Sequence, residues 1–176
     1  MKPRDRQWLA AAVVAICVLA ALTAWLSYLN ARSNPHYQQV APGEQAVPQR
    51  DGGMPIRLSS LTITQQLVTD REVNAAPANA LWVIAVIDYV PPPDGASCSL
   101  ALLAVDGRRW TSRSSLDFEG SRPLESGCLA KPGEGAPRAE LIYLIPESAA
   151  GSLAGLVQDT YADRGTEPTL VLTPPG

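Results

Sequence analysis

The sequence has little histidine and cysteine, two of the side chains that often catalyse reactions. Its 176 residues include one histidine, His36, three cysteines and one phenylalanine. Nucleophilic catalysis requires a serine or cysteine held beside a base, and the chain contains no Gly-x-Ser-x-Gly motif. We therefore expect that the protein is not an enzyme, and the sequence assigns no catalytic residue.

The sequence also lacks the clusters of ligands that hold a metal or a cofactor. Calcium requires six or more oxygen ligands, and no compact Asp-x-Asp-x-Asp run supplies them, although Asp94, Asp159 and Asp163 could converge at one end of a β-sandwich. A carboxylate pair such as Asp117 and Glu119 could cleave a glycosidic bond, but both residues fall in a polar, turn-rich segment. We predict no metal and no cofactor.

An excess of positive charge is missing from most of the chain. Residues 30–176 hold eleven basic and sixteen acidic residues, a net charge of −5. Binding of nucleic acid requires a basic face, so we expect no nucleic-acid partner. One group of arginines is a candidate interaction patch for an acidic wall polymer or a lipid phosphate, or else a charged strand edge that prevents aggregation. Its members are Arg108, Arg109, Arg113 and Arg122.

The most prominent feature that is present is an uncharged, apolar run at residues 8–29. A membrane-spanning helix needs about 20 mostly apolar residues, and basic residues mark its cytoplasmic side. Lys2, Arg4 and Arg6 precede the run, so we predict a cytoplasmic N-terminus at residues 1–7, a transmembrane helix at 8–29 and an extracytoplasmic remainder. A cleaved signal peptide is the alternative, although its apolar core is usually only about 7–15 residues long.

Two cysteines follow the apolar run. Cys98 and Cys128 would lie outside the cytoplasm, where disulfides form and persist. We predict a disulfide between them, which would stabilise the fold by roughly 3.5 kcal/mol in the chain-entropy model. Two unpaired, buried thiols are the alternative. Cys17 lies inside the apolar run and is expected to be a small apolar filler.

The rest of the chain divides into a linker and one folded domain. Residues 30–55 are rich in proline and glycine and lack a hydrophobic period, which predicts a flexible tether. Residues 56–176 have a common size for a single domain. Short apolar segments alternate there with turn residues about every ten positions, which is typical of an all-β sandwich. We predict an antiparallel sandwich of about seven strands.

Local patterns predict the individual strands. Residues 80–90 are apolar on both faces and rich in β-branched and aromatic residues, which indicates a central strand. In residues 57–68, Leu61, Ile63 and Leu67 share one face, which indicates a half-buried strand. The other predicted strands are residues 97–105, 108–111, 138–145, 168–173 and 152–159, of which the last also suits one helical turn.

Several weak structural motifs resemble those of a known bacterial family. Asp106-Gly107, which predicts a type I′ hairpin turn, is followed by an aromatic residue, and Pro132-Gly133 precedes an apolar strand that ends in proline. Over about residues 57–173 this order resembles the domain of unknown function 4352 family, immunoglobulin-like sandwiches that are tethered to the membrane or secreted in Gram-positive bacteria. The resemblance implies an immunoglobulin-like fold and no active site.

These features predict a location and a general role. We expect a single-pass membrane protein whose sandwich is a binding or structural module of the cell envelope, with an envelope protein or a wall component as partner. The alternative is an accessory subunit of a larger membrane complex that makes its contacts through the apolar helix. Small residues permit close packing of helices in membranes, and the helix contains Ala10, Ala11, Ala15, Ala20, Ala21 and Ala24.

Overall fold

The structure divides into a helical unit and a β-unit. This computed structural model describes residues 3–33, 36–47, 54–90, 97–114, 118–126, 128–129, 137–158 and 168–175, with the side chains of the first helix described at residues 13–28.

The helical unit consists of one long helix, α1, which extends over Pro3–Ser33. Its described side chains are apolar and exposed over most of the surface. The prediction that residues 8–29 form a helix is therefore confirmed. Among the residues that the structure describes, however, no helix combines the length and the apolarity needed to cross a bilayer. The predicted membrane crossing is not confirmed.

Within its described residues, the β-unit contains thirteen strands and a short 3₁₀ helix. The strands are β1 Tyr37–Val40, β2 Ile56–Thr64, β3 Gln66–Val68, β4 Val73–Ala75, β5 Ala80–Tyr89, β6 Ser97–Cys98, β7 Leu100–Ala104, β8 Arg109–Thr111, β9 Glu125–Ser126, β10 Cys128–Leu129, β11 Arg138–Pro146, β12 Leu153–Gln158 and β13 Thr169–Leu172. The 3₁₀ helix, Glu147–Ser152, connects β11 to β12.

The strands form two larger sheets and two small ones. The five-stranded sheet has the order β1-β13-β12-β7-β8, and the four-stranded sheet has the order β2-β5-β11-β9. β3 pairs with β4, and β6 pairs with β10. Most pairs are antiparallel, whereas β1–β13 and β9–β11 are parallel. The predicted all-β fold is confirmed, but seven strands are too few because several strands of two or three residues are too short to show a hydrophobic pattern.

One hydrophobic core lies between the two larger sheets. It combines Ile87 and Tyr143 of the four-stranded sheet with Leu102 and Leu156 of the five-stranded sheet, all fully buried. The Tyr143 hydroxyl donates a hydrogen bond of 3.0 Å to the backbone carbonyl of Leu100. Inner faces that share one core define the sandwich arrangement of the two sheets.

The outer face of the four-stranded sheet is also partly apolar. Trp82 and Ile142 are buried there with Leu67 of β3 and with Phe118. The indole N–H of Trp82 donates to the backbone carbonyl of Asn74 in β4, at 3.2 Å. The β3–β4 hairpin thus covers part of this face, which explains why the predicted central strand, now β5 between β2 and β11, is apolar on both sides.

The folded unit begins earlier than the predicted boundary at residue 56. β1 lies within the predicted tether of residues 30–55, yet it pairs in register with β13. Ala46 and Ile56 exchange backbone hydrogen bonds of 2.9 and 2.7 Å, and Met54 is buried in the core. The sequence of β1, Tyr-Gln-Gln-Val, has too few apolar residues to indicate a strand, and its partner lies near the other end of the chain.

The predicted half-buried strand of residues 57–68 is divided in two. The pairing of β2 with β5 shifts register between Leu58 and Ser60, which marks a β-bulge. β2 ends at Thr64, and Leu67 belongs to the separate strand β3. Leu61 packs against the central core, whereas Leu67 packs in the outer cluster. The two leucines therefore do not share one face as predicted.

The β7–β8 connection confirms the predicted hairpin but not its turn type. A type I′ turn needs positive φ at both central residues, and among the described non-glycine residues only Asn79 has a positive φ. Gly107 alone supplies it here, with φ of 86°. Its N–H donates to the carbonyl of Ala104 at 2.9 Å, and Asp106 precedes it with an ordinary φ.

The predicted disulfide is present. Cys98 of β6 and Cys128 of β10 are register partners in the antiparallel pair, and they form a disulfide with a Cα–Cα distance of 5.3 Å. This distance is usual for disulfides. Because Cys128 is buried in the central core, the bridge fastens the segment between β8 and β11 to the sandwich.

Candidate functional site: a charged row on the four-stranded sheet

Three charged residues lie side by side on the outer face of the four-stranded sheet. Asp88 of β5 is in register with Arg57 of β2 on one side and with Arg138 of β11 on the other. Successive side chains of a strand point to opposite faces, and Ile87 and Tyr89 point into the core. Asp88 therefore points outward. We refer to Arg57, Asp88 and Arg138 as the charged row.

Both arginines of the charged row donate hydrogen bonds to the same carboxylate. Arg57 Nη2 lies 2.5 Å from Oδ2 of Asp88 and Arg138 Nε lies 2.8 Å from Oδ1. The Ser59 hydroxyl donates to Oδ2 at 2.7 Å. Partial burial raises the pKa of Asp88, but the hydrogen bonds from Arg57, Ser59 and Arg138 outweigh it, and the net effect lowers the pKa below its ordinary value.

Solvent reaches the two cations more than the anion between them. The side chains of Arg57 and Arg138 are 50% and 61% exposed, whereas that of Asp88 is 14% exposed. Two guanidinium groups and one carboxylate give the row a net charge of +1. The charged row thus presents positive charge and N–H donors to solvent on a part of the chain that is otherwise acidic.

A second ion pair lies on the same face and is mostly buried. Glu140 follows Arg138 by two positions on β11, so both side chains point outward. Glu140 accepts hydrogen bonds from Nε of Arg122 and, at 3.0 Å, from its Nη2. Arg122 also donates to the backbone carbonyl of Val68 at 2.5 Å. The two side chains are only 8% and 13% exposed, so this pair joins β3 to β11 and offers little surface to a ligand.

A third acidic group ties the β3–β4 hairpin to a loop. Asp70 accepts hydrogen bonds from the backbone N–H of Ser121 at 2.6 Å and from its hydroxyl at 2.8 Å. These two bonds, the backbone one first, lower the pKa of Asp70. Thr69 donates to the carbonyl of Glu119 at 2.8 Å. The role of Asp70 in these contacts is to hold the hairpin in place.

The arginines of the predicted interaction patch contact different partners. Arg108 forms an ion pair of 2.7 Å with Asp106, and Arg122 pairs with Glu140 on the other sheet. Arg109 donates to Tyr37, as described below, and the backbone N–H of Arg113 donates to the carbonyl of Ile142 at 2.6 Å. The predicted patch remains a prediction as a binding surface.

Arg109 connects the two edges of the five-stranded sheet. Its Nη2 and Nε lie 2.8 and 3.2 Å from the hydroxyl of Tyr37. Tyr37 belongs to edge strand β1 and Arg109 to edge strand β8. Between them lies an outer cluster in which Tyr37 packs against the buried side chains of Ala101, Leu103, Val157 and Val171. This contact stabilises the outer face and leaves Arg109 engaged within the protein.

The residues considered for catalysis or metal binding do not form a site within the described ranges. No group of three or more His, Cys, Asp or Glu side chains there could hold a metal ion. Glu119 is exposed. Asp94, Asp117, Asp159 and Asp163 lie outside the described residues.

Only one member of the charged row, Asp88, could be recognised from the sequence. Asp88 is the one charged residue in the apolar strand β5, which indicates that it needs a partner. Its partners are 31 and 50 residues away along the chain. They could be identified only from the register of β2 and β11, which the sequence does not specify.

Comparisons with known proteins leave the chain without an assigned family. No family model matches it, and no curated protein or solved structure shows significant similarity to it. The resemblance to the domain of unknown function 4352 family therefore remains a prediction.

Proposed function

We propose that this chain is a single-pass membrane protein whose β-sandwich lies outside the cytoplasm and acts as a binding or structural module of the cell envelope. The observation that carries the proposal is the surface of α1. Large apolar side chains are exposed there: Val13, Val14, Ile16, Val18, Leu19, Leu22, Trp25, Leu26 and Tyr28. Successive residues of a helix are about 100° apart, so these side chains surround α1, and a helix that is apolar on all sides is stable within lipid or protein.

The flanks of the apolar run support its orientation. The basic residues Lys2, Arg4 and Arg6 precede residues 8–29, which is typical of a cytoplasmic flank. Trp25 and Tyr28, with ring centroids 6.0 Å apart, lie near the other end, where aromatic rings favour the membrane interface. The disulfide of the β-unit also favours an oxidising compartment.

We further propose that the sandwich is immunoglobulin-like. In strand order, β2-β5-β11-β9 corresponds to strands A-B-E-D of that fold and β13-β12-β7-β8 corresponds to G-F-C-C′, although β9 is parallel to β11 whereas strands D and E are antiparallel. In antibody domains the conserved disulfide joins strands B and F. Here it joins β6 and β10, which lie outside the two larger sheets. The correspondence is therefore with the strand order and not with the antibody disulfide.

The charged groups of the sandwich favour binding or support over catalysis. A general acid or base works best with a pKa near the operating pH. Hydrogen bonds lower the pKa of Asp88 and of Asp70, so both remain ionised near neutral pH. Glu140 is held by Arg122. These carboxylates are suited to structural contacts.

Protease digestion of intact bacterial cells tests the location. A full-length chain with a different tag at each terminus should lose the C-terminal tag and keep the N-terminal one, and should stay in the membrane pellet at high pH. Val14→Arg with Leu19→Arg should release it from the membrane, since each central charge costs about 2.5–3.5 kcal/mol on insertion.

The matched control is Val73→Arg with Val105→Arg, which adds the same two charges at positions of the β-unit that are 55% and 76% exposed and should leave membrane attachment unchanged. A C-terminal tag that resists protease in intact cells would contradict the proposal. So would a mature chain that begins after residue 29, because α1 would then be a removed signal peptide.

A second candidate is the accessory subunit, with α1 as the contact. The observation in its favour is that Ala21 and Ala24 lie about one turn apart on the exposed surface of α1, beside Trp25 and Tyr28. Small side chains beside aromatic ones let a second helix approach closely. Replacing residues 8–29 with an unrelated membrane anchor separates the two functions. An accessory subunit should lose its complex on this exchange, whereas an envelope-binding module should keep its partner.

A further inference from the structure

We infer that the charged row binds phosphate groups, either those of lipid headgroups or those of a soluble polyphosphate. This inference deepens the proposed function, on which it rests, because it names a ligand class for the sandwich as a binding module. The chemistry is that of two arginines, Arg57 and Arg138, which are fixed in place by Asp88 and open to solvent on their other side.

The geometry places the two guanidinium groups close together. Arg57 and Arg138 are both in register with Asp88 on strands that flank β5, and adjacent strands are about 4.8 Å apart. Both groups contact the one carboxylate, Arg57 through Nε and Nη2 at 3.2 and 2.5 Å and Arg138 through Nε at 2.8 Å. Their orientation is therefore set before any ligand arrives.

The remaining donors suit a phosphate. Bound through one edge to Asp88, each guanidinium keeps further N–H groups, and the two side chains are 50% and 61% exposed. The planar N–H fork of arginine matches the oxygen geometry of phosphate and can bind it bidentately. A phosphate oxygen pair above Asp88 would thus meet donors from two sides.

The charged row differs in the sign of its charge from the rest of the sandwich. The row has a net charge of +1, while residues 30–176 have a net charge of −5, so the protein as a whole repels anions. Binding of a polyanion at the charged row then depends on the local arrangement of its two arginines and weakens with salt. The second ion pair, Arg122 with Glu140, contributes no net charge beside it.

The test is a titration of the full-length chain in phosphatidylcholine nanodiscs with sodium tripolyphosphate, followed by calorimetry. We expect Arg57→Gln and Arg138→Gln each to weaken binding about tenfold or more, since a hydrogen bond to a charged group is worth that much. Arg71→Gln is the matched control, because it removes the same charge from an exposed position in the β3–β4 turn and should change affinity less than twofold.

The Asp88→Asn variant tests the contribution of net charge to phosphate binding by the charged row. It removes the negative charge but keeps an oxygen acceptor, so the row gains net positive charge and affinity should rise several-fold. A row that serves only to stabilise the sheet predicts that Arg57→Gln and Arg138→Gln weaken binding no more than Arg71→Gln does. The inference would be overturned if Arg71→Gln lost as much affinity as the row variants. It would also be overturned if Asp88→Asn and Arg57→Gln left the affinity unchanged while a cooperative thermal transition showed that both variants were folded.

Changing the lipid composition of the nanodiscs distinguishes the two sources of phosphate. The Nε–H resonances of Arg57 and Arg138, assigned with the two glutamine variants, should shift on addition of tripolyphosphate. If anionic lipid headgroups are the source, replacing part of the phosphatidylcholine, whose phosphate is balanced by its own choline cation, with phosphatidylglycerol should shift them in the absence of tripolyphosphate. Otherwise only the soluble anion should shift them. Resonances that respond to neither probe refute the inference, and the proposed location then still stands or falls by the protease experiment.

Discussion

The outer faces of the two sheets are built on different principles. On the five-stranded sheet, small and branched apolar side chains are buried beneath the contact between Tyr37 and Arg109. On the four-stranded sheet, one part is apolar beneath the β3–β4 hairpin, and the other carries the charged row and the Arg122–Glu140 pair. The comparison teaches that one face is closed by apolar packing, whereas the other depends on charges that are mutually satisfied.

The largest expected effect concerns the buried charge on the four-stranded sheet. Glu140→Leu leaves Arg122, which is 13% exposed, without its counter-ion. Breaking such a pair costs about 3–5 kcal/mol in the free energy of unfolding, which urea denaturation measures.

The paired control replaces both partners, Arg122→Leu with Glu140→Leu, and should recover most of the lost stability because two apolar side chains leave no buried charge. If the double variant is as unstable as Glu140→Leu, the face does not depend on balanced charge and the comparison fails.

The five-stranded sheet is most vulnerable at a backbone position. Gly155 has φ of 142°, and a Cβ there would lie 2.1 Å from the carbonyl oxygen of Leu172. Gly155→Ala should force β12 and β13 apart and destabilise the protein by about 3 kcal/mol, as measured by thermal or urea unfolding. Gly151→Ala is the control, since a Cβ there has no neighbour within 4 Å. A cost for Gly155→Ala as small as that of the control would show that the sheet can adapt.

Acid should destabilise the outer face of the four-stranded sheet, which depends on ion pairs. Because the pKa of Asp88 is lower in the folded protein than its ordinary value of 3.8, its stabilising effect is complete above that value and is lost as the pH falls through the folded pKa. Asp88→Asn should lower stability by about 1.5–3 kcal/mol near neutral pH and flatten its decline in acid. A variant that declines as steeply as the wild type would exclude Asp88 as the titrating group.

The smallest expected effect concerns the contact across the five-stranded sheet. Tyr37→Phe removes the acceptor of two hydrogen bonds from Arg109 but keeps the apolar ring. We expect a loss of about 1 kcal/mol in the free energy of unfolding. A double-mutant cycle with Arg109→Gln should give a coupling of similar size. Absence of coupling would mean that apolar packing alone closes this face.

Features that depend on local sequence could be predicted, and features that depend on strand register could not. The two-sided apolar pattern of β5 indicated a central strand, and two cysteines in a domain that was predicted to lie outside the cytoplasm indicated the disulfide of Cys98 with Cys128. β1 has a polar sequence and gains its stability from β13, near the other end of the chain. The charged row required the register of three strands, and the break between β2 and β3 placed Leu61 and Leu67 in different clusters.

The parallel pairing of β1 with β13 also has a consequence for how the chain folds. Among the described strands, β1 is synthesised first and its partner last. An early strand whose contacts are all distant in sequence must remain unpaired until the late one emerges, and such long-range contacts slow folding. Completion of the five-stranded sheet is thus a late event in biogenesis, when translation of the described strands has finished.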